Sequence, residues 1–242
     1  NYSVALINGE PLGQNGFPTD PNAAKDVAGH IGAQAQASEK FGLSGGVSFY
    51  TGTGFSPGKL ATKDSITWVD LNNNNIIDNG EIQGVAATAA VASQNFARWA
   101  VGVDAGAVLE TGLGVGRFGI EAIAASNLDR TVMPSDPVLA GVDSRQLSLT
   151  ANLTQQIGKY AIVGVRGAYY DPNSDLFENR AGQIVPATQT YWVVSPVAGL
   201  TLDHGRIVAQ YDFVIDKLGR DQQGVPTDAA NDQFTVRLQV DL

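Results

Sequence analysis

The C-terminal stretch of this chain alternates strictly between apolar and polar residues. An extended strand over this stretch would place on one side Phe234, Val236, Leu238, Val240 and Leu242. The opposite side would carry Gln233, Thr235, Arg237, Gln239 and Asp241. Side chains point to opposite faces at every second residue of a β-strand. The pattern therefore predicts a strand with one apolar and one polar face.

The same alternation recurs along the chain, over residues 98–110, 146–154 and 206–216 among others. Their apolar sides lack charge over roughly nine to eleven residues, the length with which a tilted strand crosses a bilayer. We therefore predict an all-β fold, a transmembrane antiparallel up-and-down β-barrel of about ten strands. A soluble β-sandwich, with its apolar face on a protein core, is the alternative. Within the eighth strand, Pro196 predicts a bulge or an edge position because proline lacks an N–H group.

The composition agrees with a β-barrel and excludes several other classes. The mean hydropathy is −0.04 and there is no run of eighteen apolar residues, which argues against a helical membrane protein. The chain has no cysteine, so it has neither a disulfide framework nor a thiolate metal site. Nothing marks a linker, and we expect one domain over residues 1–242. An export signal, if one exists, is expected to have been removed or to lie upstream of Asn1.

The connections between the ten predicted strands alternate between long and short. The long ones cover about residues 10–26, 52–95, 127–143, 171–188 and 217–231. Outer-membrane barrels have short periplasmic turns and long extracellular loops. Most of the net charge of −9 falls in the long connections, and an acidic rim argues against nucleic-acid binding. A bacterial outer-membrane location implies contact with membrane lipid and lipopolysaccharide.

Charged residues on the polar faces of the strands are predicted to line a lumen. The main candidates are Arg98, Asp104, Arg117, Glu121, Arg166, Asp212 and Arg237, together with Glu110, Asp203, Arg206, Asp216 and Asp241. Candidate ion pairs are Arg237 with Asp212, and Arg98 or Arg117 with Asp104 or Glu121. Two interpretations remain open. The charges neutralise one another and stabilise the wall, or opposed rows of charge orient permeating solutes.

The segment 70–81, within the predicted extracellular loop 56–95, has the residue types of an EF-hand-like calcium loop. Such a loop supplies oxygen ligands from positions 1, 3, 5, 7, 9 and 12. These positions are Asp70, Asn72, Asn74, the carbonyl of Ile76, Asp78 and Glu81. Position 6 requires a left-handed backbone, and Asn75 there is the best choice after glycine. Three carboxylates predict weak calcium binding, and a solvated Asn-rich loop is the alternative. The Ala-rich residues 85–93 predict a short helix.

Catalysis has little support in the sequence. The two histidines, His30 and His204, are predicted at opposite ends of the barrel, whereas a nucleophile needs its base within hydrogen-bond reach. A ten-stranded barrel protease of the omptin kind would need His30 to work with a nearby acid such as Asp26. We therefore expect that the protein is not an enzyme.

Several segments occur here in a characteristic order: Tyr2–Glu10 followed by Lys25–Gly29, Ala125–Arg130, Gln156–Tyr160, Tyr169–Pro172 and the terminal strand. In this order they resemble the C-terminal portion of the phosphate-selective porin (O/P-like) family of Gram-negative outer membranes. The resemblance implies a part of a barrel of about 16 to 18 strands, often a homotrimer. We see no counterpart of the family's Arg- and Lys-rich anion ladder. The leading expectation is an outer-membrane porin for passive diffusion of small hydrophilic solutes or ions. The alternative is a structural or adhesive barrel with a plugged lumen and calcium-stabilised surface loops.

Overall fold

The computed structural model describes residues 1–9, 19–128, 137–175, 177–180, 183–186, 190–202, 205–222 and 225–240. The strands are β1 (Tyr2–Asn8), β2 (Lys25–Ser38), β3 (Phe41–Ser56), β4 (Ser65–Trp68), β5 (Ile82–Val85), β6 (Gln94–Thr111), β7 (Gly114–Ser126), β8 (Arg145–Ile157), β9 (Ala161–Asp171), β10 (Phe177–Arg180), β11 (Gln183–Pro186), β12 (Tyr191–Leu202), β13 (Gly205–Ile215), β14 (Gly219–Arg220), β15 (Pro226–Thr227) and β16 (Gln233–Val240). A four-residue helix, α1 (Pro137–Ala140), lies between β7 and β8. The described part of the chain has no helix long and apolar enough to cross a membrane.

Ten of these strands form one antiparallel sheet in the order β1-β2-β3-β6-β7-β8-β9-β12-β13-β16. Each strand pairs with the next long strand along the chain, so the topology is up-and-down. The six short strands form three separate hairpins, β4–β5, β10–β11 and β14–β15, inside the long connections. The all-β fold and the ten antiparallel strands predicted from the sequence are thereby confirmed, whereas the three hairpins were not predicted.

The ten-stranded sheet is open within the described residues. Its two edge strands are β1 and β16, each of which pairs on one side only. The predicted closure into a barrel therefore has no counterpart among the strand pairings of this sheet.

The two faces of the sheet differ sharply in residue type and exposure. One side of the sheet, which we call the apolar face, carries Val101, Leu149, Phe213 and Leu238. These side chains are 40 to 66% exposed. Among the described residues, Ala125 is the only buried member of the Ala, Val, Ile, Leu, Met, Phe, Tyr and Trp class. The opposite side, the polar face, holds the buried side chains Asp26, Arg98, Gln146 and Ser195. A soluble sandwich would cover its apolar face with protein, and no described residue covers the apolar face of this sheet.

Two local expectations are corrected by the structure. Pro196 lies in a central strand, opposite Val165 of β9, and the pairing of β12 with β13 merely skips Ser195 and Pro196 without a change of register. Proline has no N–H group to donate, so the hydrogen bonds between β12 and β13 are interrupted at this point. The strand accommodates the interruption without a bulge. The helix predicted over residues 85–93 is wrong, because Val91 forms a backbone bridge with Lys59 in an extended segment.

Candidate functional site

A buried ion pair on the polar face joins β2 to β6 across the intervening strand β3. The Nη2 atom of Arg98 lies 2.8 Å from Oδ2 of Asp26, and their side chains are 6% and 0% exposed. Gly52 of β3 is the register partner of Arg98, and a Cβ atom at Gly52 would overlap the Asp26 carboxyl group. Glycine thus provides the space through which the two charges meet. The sequence placed Arg98 beside Asp104 or Glu121; the structure pairs it with Asp26, which we had assigned to a loop.

The cluster around Asp26 and Arg98 also binds to β3 and to the start of the first long connection. Oδ1 of Asp26 accepts a hydrogen bond from the backbone N–H of Thr53 at 3.0 Å, and its Oδ2 accepts one from the hydroxyl of Tyr50. Arg98 donates from Nη2 to the carbonyl of Gly9 at 2.6 Å. Gly9 begins the first long connection, and Tyr50 and Thr53 belong to β3. The cluster therefore fixes the first long connection where it leaves the sheet.

A second contact across β3 involves His30 and Asp104. Nε2 of His30 lies 3.5 Å from Oδ1 of Asp104, and a Cβ at Gly46 between them would be 2.9 Å from that oxygen. Asp104 is the register partner of Glu121, so two acids lie side by side on the polar face. His30 thus contacts Asp104, while Asp26, the acid considered for a protease-like pair, binds Arg98. His204 lies outside the described residues.

The other predicted lumen residues are spread along the polar face without forming the expected pairs. Their register partners are Thr154 and Val108 for Arg117, Asn152 and Ser195 for Arg166, Gln233 for Asp212, Val208 for Arg237 and Val115 for Glu110. Asp212 and Arg237 are thus four residues out of register, and Asp212 accepts a hydrogen bond from Nε2 of Gln210 at 2.7 Å. The expected Arg237 to Asp212 pair is not found among the described residues. Asp203 and Asp241 lie outside them.

Asp216 follows β13 and organises the last long connection. It is 4% exposed and accepts hydrogen bonds from the backbone of Leu218 and Ala229 and from Nδ2 of Asn231, at 2.7 to 3.1 Å. Burial acts to raise the pKa of Asp216, but these hydrogen bonds outweigh it and hold the pKa below its ordinary value. Asp216 is therefore a structural carboxylate at the base of this loop.

The segment 70–81 forms a compact loop between β4 and β5. The Asp70 carboxylate accepts hydrogen bonds from the backbone of Asn74 and Asn75, and Asn75 has a φ of 58°. This is the left-handed conformation that position 6 of a calcium loop requires. The side-chain amides of Asn72 and Asn74 both donate to Oδ2 of Asp78 at 2.8 Å and lower its pKa.

Glu81, at position 12 of the calcium motif, is already engaged by the loop itself. It is 2% exposed, and its oxygens accept hydrogen bonds from the backbone of Asp78 and Leu71 and from Nε1 of Trp68. The N–H of Asp78 and then the indole of Trp68 are the largest causes that lower the pKa of Glu81. No group of three or more acidic or histidine side chains in the described ranges is arranged to hold a metal ion. A calcium ion would have to replace these donors at Glu81.

The sequence missed Asp26, Tyr50 and the paired glycines as parts of the site. A usable signal was present, because Gly46 and Gly52 occupy polar-face positions of β3 opposite the charged residues Asp104 and Arg98 of β6. What the structure defines is an all-β protein built on a ten-stranded up-and-down sheet with a charged polar face. Comparison of the chain with protein-family models, with curated proteins and with solved structures finds no match.

Proposed function

We propose that this protein is a pore of the bacterial outer membrane, through which small hydrophilic solutes or ions diffuse. The observation that carries the proposal is the distribution of exposure over the sheet. The apolar face is exposed from β1 to β16, whereas the buried side chains of the sheet are mostly polar. Each Å² of apolar surface left in water forgoes about 25 cal/mol, and lipid contact removes this penalty.

The height of the apolar face fits a bilayer. On β6 the outward residues run from Trp99 to Leu109 without a charge. At about 3.3 Å per residue this stretch is roughly 33 Å long, and at a tilt of about 40° it spans roughly 25 Å. This is the height of the apolar band on outer-membrane barrels.

Aromatic side chains lie on the apolar face toward the long-loop end of the sheet. Tyr169 and Trp192 are register partners there, with ring centroids 4.7 Å apart, and Trp99 and Trp192 are 40% and 51% exposed. Aromatic residues collect at membrane–water interfaces because their rings are amphipathic. The aromatic cluster therefore supports a membrane boundary just below the long connections.

In lipid, the edges of β1 and β16 must be paired, because an unsatisfied N–H or C=O group in hydrocarbon costs several kcal/mol. Either these two strands pair with each other, or further strands complete the wall. Ten strands leave a narrow bore, and 16 to 18 strands leave a water-filled channel. The size of the conductance therefore reports which closure occurs.

The test is conductance through a planar lipid bilayer. The folded chain should add stepwise conductance, and reversal potentials in a salt gradient should give its ion preference. Heat-denatured protein at the same concentration is the matched control. Folded and inserted protein without conductance would overturn the pore and leave the plugged, structural barrel as the function. Failure to insert into lipid at all would overturn both.

A further inference from the structure

A cavity on the polar face lies between the last two strands of the sheet. Its volume is about 370 Å³, and it is lined by Arg206, Val208, Gln210, Thr235, Arg237 and Gln239. Arg206 is near the start of β13 and Arg237 near the end of β16, so the cavity sits at the short-turn end of these strands. It is thus separate from the Asp26 and Arg98 cluster and from the acidic loops.

Among the described residues that line it, the cavity has two arginines and no acidic side chain. Neither Arg206 nor Arg237 takes part in the ion pairs found within the described residues. On the same strand, Asp212 accepts a hydrogen bond from Nε2 of Gln210 at 2.7 Å. An anion between the two arginines would offset their mutual repulsion and bind to both positive charges.

The register sets the spacing of the two arginines at the backbone. Arg206 is opposite Gln239, and Arg237 is opposite Val208, so the two arginines are diagonal neighbours on adjacent strands. Diagonal neighbours are about 7–8 Å apart at the backbone, and each guanidinium presents a fork that binds one carboxylate through two hydrogen bonds. Val208 offers an apolar contact beside them, and Gln210 and Thr235 offer polar groups.

We propose that this cavity binds a short dicarboxylate, with one carboxylate on Arg206 and the other on Arg237. The apolar carbons that join the two carboxylates contact Val208. A short dicarboxylate carries one carboxylate for each of the two forks, whereas a monocarboxylate can occupy only one of them. The inference deepens the proposed function, since it names the class of solute that the polar face selects.

Binding is measured by calorimetry on the folded full chain in detergent micelles, with succinate as the probe and acetate and inorganic phosphate as comparisons. Arg206→Gln and Arg237→Gln should each weaken succinate binding about tenfold or more, since each removes a charged bidentate contact. Arg117→Gln is the matched control, because it removes the same charge from the polar face of β7, and it should change binding less than twofold. Circular dichroism verifies that all three variants are folded.

The inference is overturned if succinate binds no better than acetate, if phosphate binds as tightly as succinate, or if Arg117→Gln loses as much as the other two. Because binding is measured without a membrane potential or a flux, the outcome is independent of conductance. A chain that binds succinate but does not conduct would refute the pore and keep this site.

Discussion

Asp26 and Arg98 meet at 2.8 Å although they belong to β2 and β6, which are separated by β3. The pair crosses β3 above Gly52, where any side chain would collide with the carboxylate. This contact joins three strands and the start of the first long connection, and it is the most deeply buried charge pair among the described residues.

Replacement of Arg98 tests how much this ion pair contributes to the free energy of unfolding. Arg98→Met leaves the Asp26 carboxylate buried without its cation, and loss of one partner of a buried pair costs about 3–5 kcal/mol. We expect the free energy of unfolding, measured by urea titration in lipid vesicles, to fall by that amount. Arg117→Met removes an exposed arginine of the same face and should cost less than about 1 kcal/mol. Equal losses in the two variants would mean that the pair does not stabilise the sheet.

Gly52→Ala tests the space that β3 leaves for the pair. The added methyl group overlaps the Asp26 carboxyl, and we expect a loss of about 1–3 kcal/mol in the same unfolding experiment. Gly167→Ala, on β9, meets no atom within 4 Å and should be neutral or slightly stabilising. A Gly52→Ala variant as stable as Gly167→Ala would show that Asp26 can move aside without cost.

A charge on the apolar face should separate a membrane sheet from a soluble one. Leu149, near the middle of β8, is 40% exposed, so Leu149→Arg costs little if that face meets water. In a bilayer it should cost about 2–4 kcal/mol. Thr150→Arg, one residue along and on the polar face, should be tolerated beside its register partner Glu121. Unfolding of both variants in lipid vesicles gives the comparison. If they are equally stable there, the apolar face does not contact lipid.

The loop around Glu81 should loosen in acid. The folded pKa values of Asp78 and Glu81 lie below the ordinary values of 3.8 and 4.5, so both carboxylates stabilise the folded loop above those values. This contribution is lost as the pH falls through the lowered folded pKa values. Because Trp68 donates to Glu81, its fluorescence in a Trp99→Phe, Trp192→Phe background should change below about pH 4. Adding Asp78→Asn and Glu81→Gln to this background should remove the pH dependence of the fluorescence. If the pH dependence persists, other titrating groups cause it.

Calcium binding to residues 70–81 remains a prediction, and terbium luminescence excited through Trp68 can test it. With three carboxylates we expect a dissociation constant on the order of 10⁻⁴ to 10⁻³ M. Asp70→Asn and Asp78→Asn should abolish the saturable signal, and calcium should compete with terbium. Asp64→Asn, whose carboxylate caps Ala87 outside the motif, serves as the control. A signal that survives Asp70→Asn would place the ion elsewhere.

The strands and their two faces were predictable because alternation is local. Residues 98–110 and 233–240 carry the whole signal in their own order of apolar and polar side chains, and no distant residue is needed to read it. Asn75 was predictable for the same reason, since its left-handed backbone follows from its place in a short motif.

The ion pairs were not predictable in this way. Alternation assigns Arg237 and Asp212 to one face but leaves the register free, and the observed register separates them by four residues. The pairing of β4 with β5 brings Glu81 against the indole of Trp68. The spacing of ligands in the calcium motif does not predict this contact.

The sequence alone determined that this chain forms amphipathic strands with one apolar and one polar side, because side-chain direction in a strand depends only on residue parity. The tertiary structure decided which charges meet, as Asp26 and Arg98 do above Gly52, and which strands are left at the edges. Both depend on register and on the number of neighbouring strands, which are set by long-range backbone pairing.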